Sequence, residues 1–299
     1  MDAPPDHTAT AVPYHLIGRD ARYRWWRPLV EMLLFVALFG AFMLAGVLLS
    51  LALAALFGIA YTDMTFADPV FDLAMNFGIV AVALPAVLLT VRWAGGRRPG
   101  SVSSVAGGLR WDRLLDCSRW ALLAIGAVLA VSLVQDGWQA AKWPGWGLWA
   151  QFLVVVVLIV PLQAAAEEYV CRGWLFQAIS SWTRSPWPAA VLTTALFVGL
   201  HEYTDPLVIA DLVVFSLAMC WLTVRTGGIE AAIALHVANN AVGLLVVTTQ
   251  GVPDLSQGGD YTAAQVLPSI AATLAYTWWV DRRSRSVETF NSRQESVLN

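Results

Sequence analysis

Apolar residues in this chain do not alternate in twos or in the three-and-four spacing of a half-buried helix. They come in long runs with polar punctuation between them. A bilayer core about 30 Å thick needs about 20 apolar residues as a helix, and by that measure the pattern predicts eight spans. They cover Pro28 to Ile59, Val70 to Trp93, Arg119 to Val134, Leu148 to Ala166, Pro188 to His201, Pro206 to Val224, Ile229 to Thr248 and Tyr261 to Val280. The fourth is expected to continue as helix past Glu167 to Ile179 with a kink at Pro161, and the fifth is short. The joints carry turn signals: "WAGGRRPGS", "KWPGWG", "TGG" and "GVPDLSQGGD". The predicted fold class is therefore all-α, a polytopic membrane helical bundle of about eight transmembrane helices.

The divisions that follow are an N-terminal tail (1–27), N-terminal transmembrane helices (28–147), a polar-bearing core (148–250), a last transmembrane helix (251–281) and a C-terminal tail (282–299). Arginines cluster before the first span, between the second and third, at Arg184, at Arg225 and after the eighth. The intervening loops are poor in basic residues, and several are acidic. This alternation predicts both termini on the cytoplasmic side. The Trp-rich segment "DGWQAAKWPGWGLW" reads as an interfacial anchor.

Composition agrees. The chain of 299 residues is 58% hydrophobic and 13% charged, against about 25% charged in a soluble domain. A net charge of -3 points to no nucleic-acid partner. Cys117, Cys171 and Cys220 lie apart in or beside apolar runs and read as small hydrophobes. The first apolar run is too long for a signal-peptide core and reads as a retained anchor. Few lysines, arginine-rich ends and compact size suggest a bacterial cytoplasmic (inner) membrane.

Ionisable groups inside such a bundle are costly and mark pairs or functions. "AEEYVCRGW" places Glu168 and Arg172 four apart in the favourable order for a helical ion pair. Glu167 is turned about 100° away, free to face a cavity. His201 follows in "FVGLH", four after Phe197. "HEYTD" falls short of the zinc-protease pattern H-E-x-x-H, because Asp205 stands in the fifth place. In "HVANN", His236 and Asn240 share one helical face, suited to hydrogen-bonding a developing oxyanion. Each stretch also has a bland reading, as interfacial ion pairing or interhelical hydrogen bonding. Counted from Leu148, Glu167 lies near the cytoplasmic end of its span while His201 ends its own, a mismatch in depth of roughly 10 to 15 Å. Asp211 is a further intramembrane acid with no role beyond a hydrogen-bonded one.

The ordered set E-E-x-x-x-R, F-x-x-x-H and H-x-x-x-N, over roughly residues 150 to 250, resembles the CPBP family of intramembrane proteases. That family includes the type II CAAX prenyl endopeptidases and the abortive-infection-like proteins. The resemblance implies an intramembrane endopeptidase. Glu167 would be general base on a water that His201 helps to hold, and His236 and Asn240 would stabilise the oxyanion. Glu168, Arg172 and Phe197 would be structural support. The family is often labelled metalloprotease, and Glu167, His201 and His236 are a donor set that suits zinc. The metal-free version is slightly favoured, because Asn is a poor zinc ligand and a good oxyanion donor. The implied partners are a peptide or membrane-protein substrate and the lipid bilayer. Neither an oligomeric state nor a cleavage specificity is encoded in these motifs. The alternative function is a catalytically inactive relative of the same fold that acts as a membrane binding or immunity protein. A transporter using Glu and His as a relay is disfavoured, since no internal repeat is visible.

Overall fold

In the computed structural model, residues 12–20, 22–136, 142–253 and 261–298 are described, with the side chains at 135, 136 and 285–298 left aside. His7, residues 137–141 of the Trp-rich segment and residues 254–260 of the acidic turn lie outside the described residues.

The architecture is a bundle of helices: α1 (Arg27–Phe57), α2 (Pro69–Ala81), α3 (Ala83–Trp93), α4 (Trp111–Asp136), α5 (Trp146–Leu158), α6 (Val160–Glu168), α7 (Phe176–Thr183), α8 (Pro186–Leu200), α9 (Pro206–Thr226), α10 (Glu230–Thr248) and α11 (Ala263–Leu298). Among the described residues, six helical stretches are long and apolar enough to cross a membrane: Arg27–Phe57, Pro69–Trp93, Trp111–Val134, Trp146–Thr183, Pro206–Thr226 and Glu230–Thr248. Pro186–Leu200 is a shorter apolar helix, and the eighth predicted span falls within α11. The predicted helical membrane bundle is thus the fold observed. The one pair of strands among the described residues, Tyr61–Thr62 with Thr65–Phe66, is a small hairpin turning through Asp63 and Met64, both at positive φ.

Local chemistry sets the helix ends. Asp68 caps α2 and Asp205 caps α9, each accepting from two backbone N–H groups at the start of its helix, while Ser185 caps α8 through Trp187 N–H. Prolines 69, 186 and 206 occupy first-turn positions whose N–H would lack a helical partner anyway. Gly58 and Gly227 end α1 and α9 in the left-handed conformation. The helix breaks at Ile159, two residues before Pro161, where the ring removes a backbone donor.

The bundle is inside-out relative to a soluble core. Leu33, Val36, Leu48 and Leu56 of α1 are exposed, as are Val157 and Leu158 of α5. The centre is built around α10, whose buried Ala231, Ala232, Ala234 and Ala238 allow close approach of its neighbours. Met219 and Leu222 of α9 and Tyr276 of α11 complete that core. At the arginine-rich end, the segment 97–110 folds under the bundle. Val105 N–H donates to Gly227 O and Ile229 N–H to Ser103 O. Arg110 grips the fully buried Glu230 carboxylate with Nε at 2.9 Å and Nη2 at 2.7 Å. Gly228 has no room for a Cβ, which would collide with Glu230, Arg110 and Ser104. α10 therefore begins inside the protein rather than at its surface.

Candidate active site

Three helical stretches converge on one polar cluster. The first is the 38-residue stretch Trp146–Thr183. Its turn at Tyr169–Leu175 is wound as a π-helix, a widening that occurs mostly at functional sites. Gly173 within it lies close against Val102, where a Cβ would stand 3.0 Å from the Val102 carbonyl oxygen. Glu167 lies seventeen residues before Arg184, and His201 seventeen after it. At about 1.5 Å per residue each is about 25 Å along its helix from that turn, so a count from Arg184 gives them similar levels where the count from Leu148 gave a mismatch.

Glu168 and Arg172 form the predicted i,i+4 pair, Nη1 to Oε1 at 3.0 Å, with both side chains fully buried. Arg172 Nη2 also donates to Ser216 Oγ at 2.7 Å, and its guanidinium lies 4.5 Å from the Phe197 ring centroid. Two desolvated charges are tolerable only when paired, although Glu168 Oε2 and Arg172 Nε are buried without a hydrogen bond among the described residues; removing one partner of such a pair typically costs about 3–5 kcal/mol.

The same Glu168 oxygen lies 2.7 Å from His236 Nδ1. A carboxylate held by arginine can only accept, so His236 Nδ1 is the donor and Nε2 is the ring nitrogen left to face the rest of the cluster. That Nε2 stands 3.5 Å from Glu167 Oε2. His201 obeys the same logic: its Nδ1 lies 2.7 Å from the Phe197 carbonyl oxygen, an acceptor, so Nδ1 is the donor there too. The imidazoles are held by rings, with Phe197 4.4 Å from His201 and 5.8 Å from His236 between centroids, and Phe215 edge-on to His236 at 5.5 Å.

Gln163 completes the cluster. Its amide donates to Glu167 Oε1 at 2.5 Å, and its carbonyl accepts from Asn240 Nδ2 at 3.1 Å. Asn239 Nδ2 donates to Asn240 Oδ1 at 3.2 Å and so orients the Asn240 amide. The motif pattern did not single out Gln163. Its signal was an amide four residues before Glu167 in an otherwise apolar run.

The geometry thus joins Glu167, Glu168, Arg172, His236 and Asn240 directly, the last through Gln163, and attaches His201 through Phe197. Glu167 Oε2 is buried and makes no hydrogen bond among the described residues. Also among them, no group of three or more His, Cys, Asp or Glu side chains is placed to hold a metal ion. Glu167, His201 and His236 as arranged do not form the zinc donor set weighed above, and no step below passes through a metal.

A helical membrane protein with this polar core belongs to a recognisable class. Residues 145–242 match the family model described as "Type II CAAX prenyl endopeptidase Rce1-like". The match spans about a third of the chain and bears out the resemblance read from the motifs. Two curated relatives are similar to it. The uncharacterized protein YyaK of Bacillus subtilis (strain 168) is 26% identical over 205 residues, 64% of this chain and 69% of that protein. An uncharacterized 24.3 kDa protein of Escherichia coli is 31% identical over 97 residues, 31% of this chain and 42% of that protein. No solved structure matches the chain.

Proposed function

We propose that this chain is an intramembrane endopeptidase working at a bacterial cytoplasmic membrane, with its arginine-rich end and both termini on the cytoplasmic side. The observation that carries the reading is the division of labour in Glu167. Gln163 holds one oxygen, while Oε2 is buried, without a hydrogen bond, and faces Nε2 of His236 at 3.5 Å.

In this reading Glu167 Oε2 takes a proton from water, and His201 Nε2 accepts that water's other hydrogen to orient it. The oxygen bonds to the peptide carbonyl carbon, and the carbonyl oxygen becomes an anion. Asn240 has a second amide hydrogen to give it, beyond the one given to Gln163. His236 donates there only as imidazolium, because its neutral form has its proton on Nδ1. Collapse breaks the C–N bond, and the proton held by Glu167 leaves on the amine. The substrate is a peptide or a membrane-protein segment that reaches the core from the bilayer.

The test uses the full chain in lipid nanodiscs with pools of prenylated and unprenylated peptides, and mass spectrometry to find new termini. Glu167→Gln should reduce cleavage by at least about 100-fold while leaving thermal stability near wild type. Undiminished cleavage by this variant, or no cleavage of any pool by the wild type, would sink the proposal.

A further inference from the structure

At the arginine-rich end, a cavity of about 490 Å³ opens between the segment before α1, the end of α3 and the 97–110 segment. Arg22, Arg92, Arg97 and Arg98 line it, with Asp20 and Ser101. The four guanidiniums are not equivalent. Arg97 is buried and committed: it pairs with Glu31 at 3.5 Å and donates to Gln177 at 2.7 Å. Glu31 is held in turn by Trp174 Nε1 at 2.8 Å. Arg97 therefore forms a fixed, charge-balanced wall. Arg22, Arg92 and Arg98 are exposed and have no carboxylate or hydrogen-bond partner for their guanidiniums among the described residues. Asp20 offsets part of their charge, and one of its oxygens is already accepting from Arg22 backbone N–H at 2.9 Å. The cavity keeps an excess of positive charge contributed by three separate elements.

Its surroundings are those of a membrane interface. Trp25 and Trp26 beside Arg27, and Trp93 beside Arg92, are exposed, as amphipathic rings are at headgroup level. Leu29, Val30 and Leu33 continue from there as an exposed apolar face of α1. A ligand with an anionic head in the cavity and chains along α1 would satisfy both surfaces. Guanidiniums recognise phosphate oxygens in particular, by paired donors in one plane.

We propose that this cavity is a phosphate-binding site, formed by Arg22, Arg92 and Arg98 against the Arg97–Glu31 wall, that takes the phosphate group of an anionic phospholipid. The same chemistry accepts free phosphate, and the two sources separate in one experiment. The full chain is placed in nanodiscs of phosphatidylcholine with a minor fraction of phosphatidylglycerol, and retained lipid is read by native mass spectrometry. Wild type should keep phosphatidylglycerol in excess of its share. The combined Arg22→Gln, Arg92→Gln and Arg98→Gln variant should lose roughly fivefold per arginine, on the order of 100-fold together. An equal charge change at the exposed Arg24, Arg119 and Arg184 should leave retention unchanged. Displacement of the lipid by millimolar inorganic phosphate would assign the site to the phosphate group alone; resistance would assign it to the intact lipid. Equal retention in wild type and the cavity variant, or equal loss in the control variant, would overturn the proposal. Arg→Lys at all three cavity positions guards against misfolding, since it should restore part of the retention.

Discussion

At the residue scale, the cluster works by deciding which lone pairs are occupied. Arg172 fixes Glu168 as an acceptor, Glu168 fixes the His236 proton on Nδ1, and the Phe197 carbonyl does the same for His201. Gln163 is the one member that touches both the proposed base and the proposed oxyanion donor, so it acts as a positioning residue. Gln163→Leu should lower kcat by roughly 10-fold with KM within about twofold, because it misplaces groups needed only in the transition state. In a double-mutant cycle with Asn240→Ala the two losses should not add. A purely structural role would lower the thermal midpoint and leave the losses additive.

At the element scale, helix caps and one distorted turn do most of the positioning. Asp205 is the clearest. It caps α9 through Leu207 and Val208 N–H and ties the chain before α11 through Tyr261 N–H at 3.2 Å. The Tyr261 backbone hydrogen bond, opposed by desolvation and joined by the two cap bonds, holds its carboxyl below the usual carboxylate range. A depressed folded-state value means the stabilising contribution is complete above the unfolded value, about 3.9. It disappears as pH falls through the lower folded value. Wild type should therefore be more heat-stable than Asp205→Ala by a constant margin between pH 7 and 5. That margin should shrink steadily below about pH 4, as followed by thermal unfolding in detergent. The π-wound turn at Tyr169–Leu175 had no counterpart in the apolar pattern. A single turn of i→i+5 bonding does not change which residues are apolar; it changes where they point.

At the scale of the whole molecule, the segment before α1 braces the helix that carries the site. Tyr14 is buried, and its hydroxyl donates to Val102 O at 2.6 Å, with Arg172 O at 3.3 Å. Arg19 donates to Ser181 O, and Trp182 Nε1 to Trp25 O. Burial pushes the Tyr14 phenol well above its ordinary value, with the Glu230 charge adding to the effect, so it remains a donor at all working pH values. Tyr14→Phe leaves two buried carbonyls short of a donor and should cost about 1–3 kcal/mol. Because one of them belongs to Arg172, amide exchange in Tyr169–Leu175 should quicken more than in α9. Unchanged exchange there would show that the brace does not reach the site.

The chain by itself determined the helical membrane bundle and the three polar motifs, because each depends on composition or on spacing within one helix, while six of the eight expected spans are long and apolar enough to cross a membrane among the described residues. The Glu168–Arg172 pair was legible for that reason, and Glu167 could be separated from it by the 100° between neighbours. What tertiary structure decided are relations between helices far apart in sequence. Glu168 meets His236 across 68 positions and Gln163 meets Asn240 across 77. Glu31 meets Arg97 across 66. Hydropathy says that a residue is in the bundle and not which helix faces it. The proton positions on the two histidines likewise follow from partners supplied by other turns and helices, which no local pattern specifies.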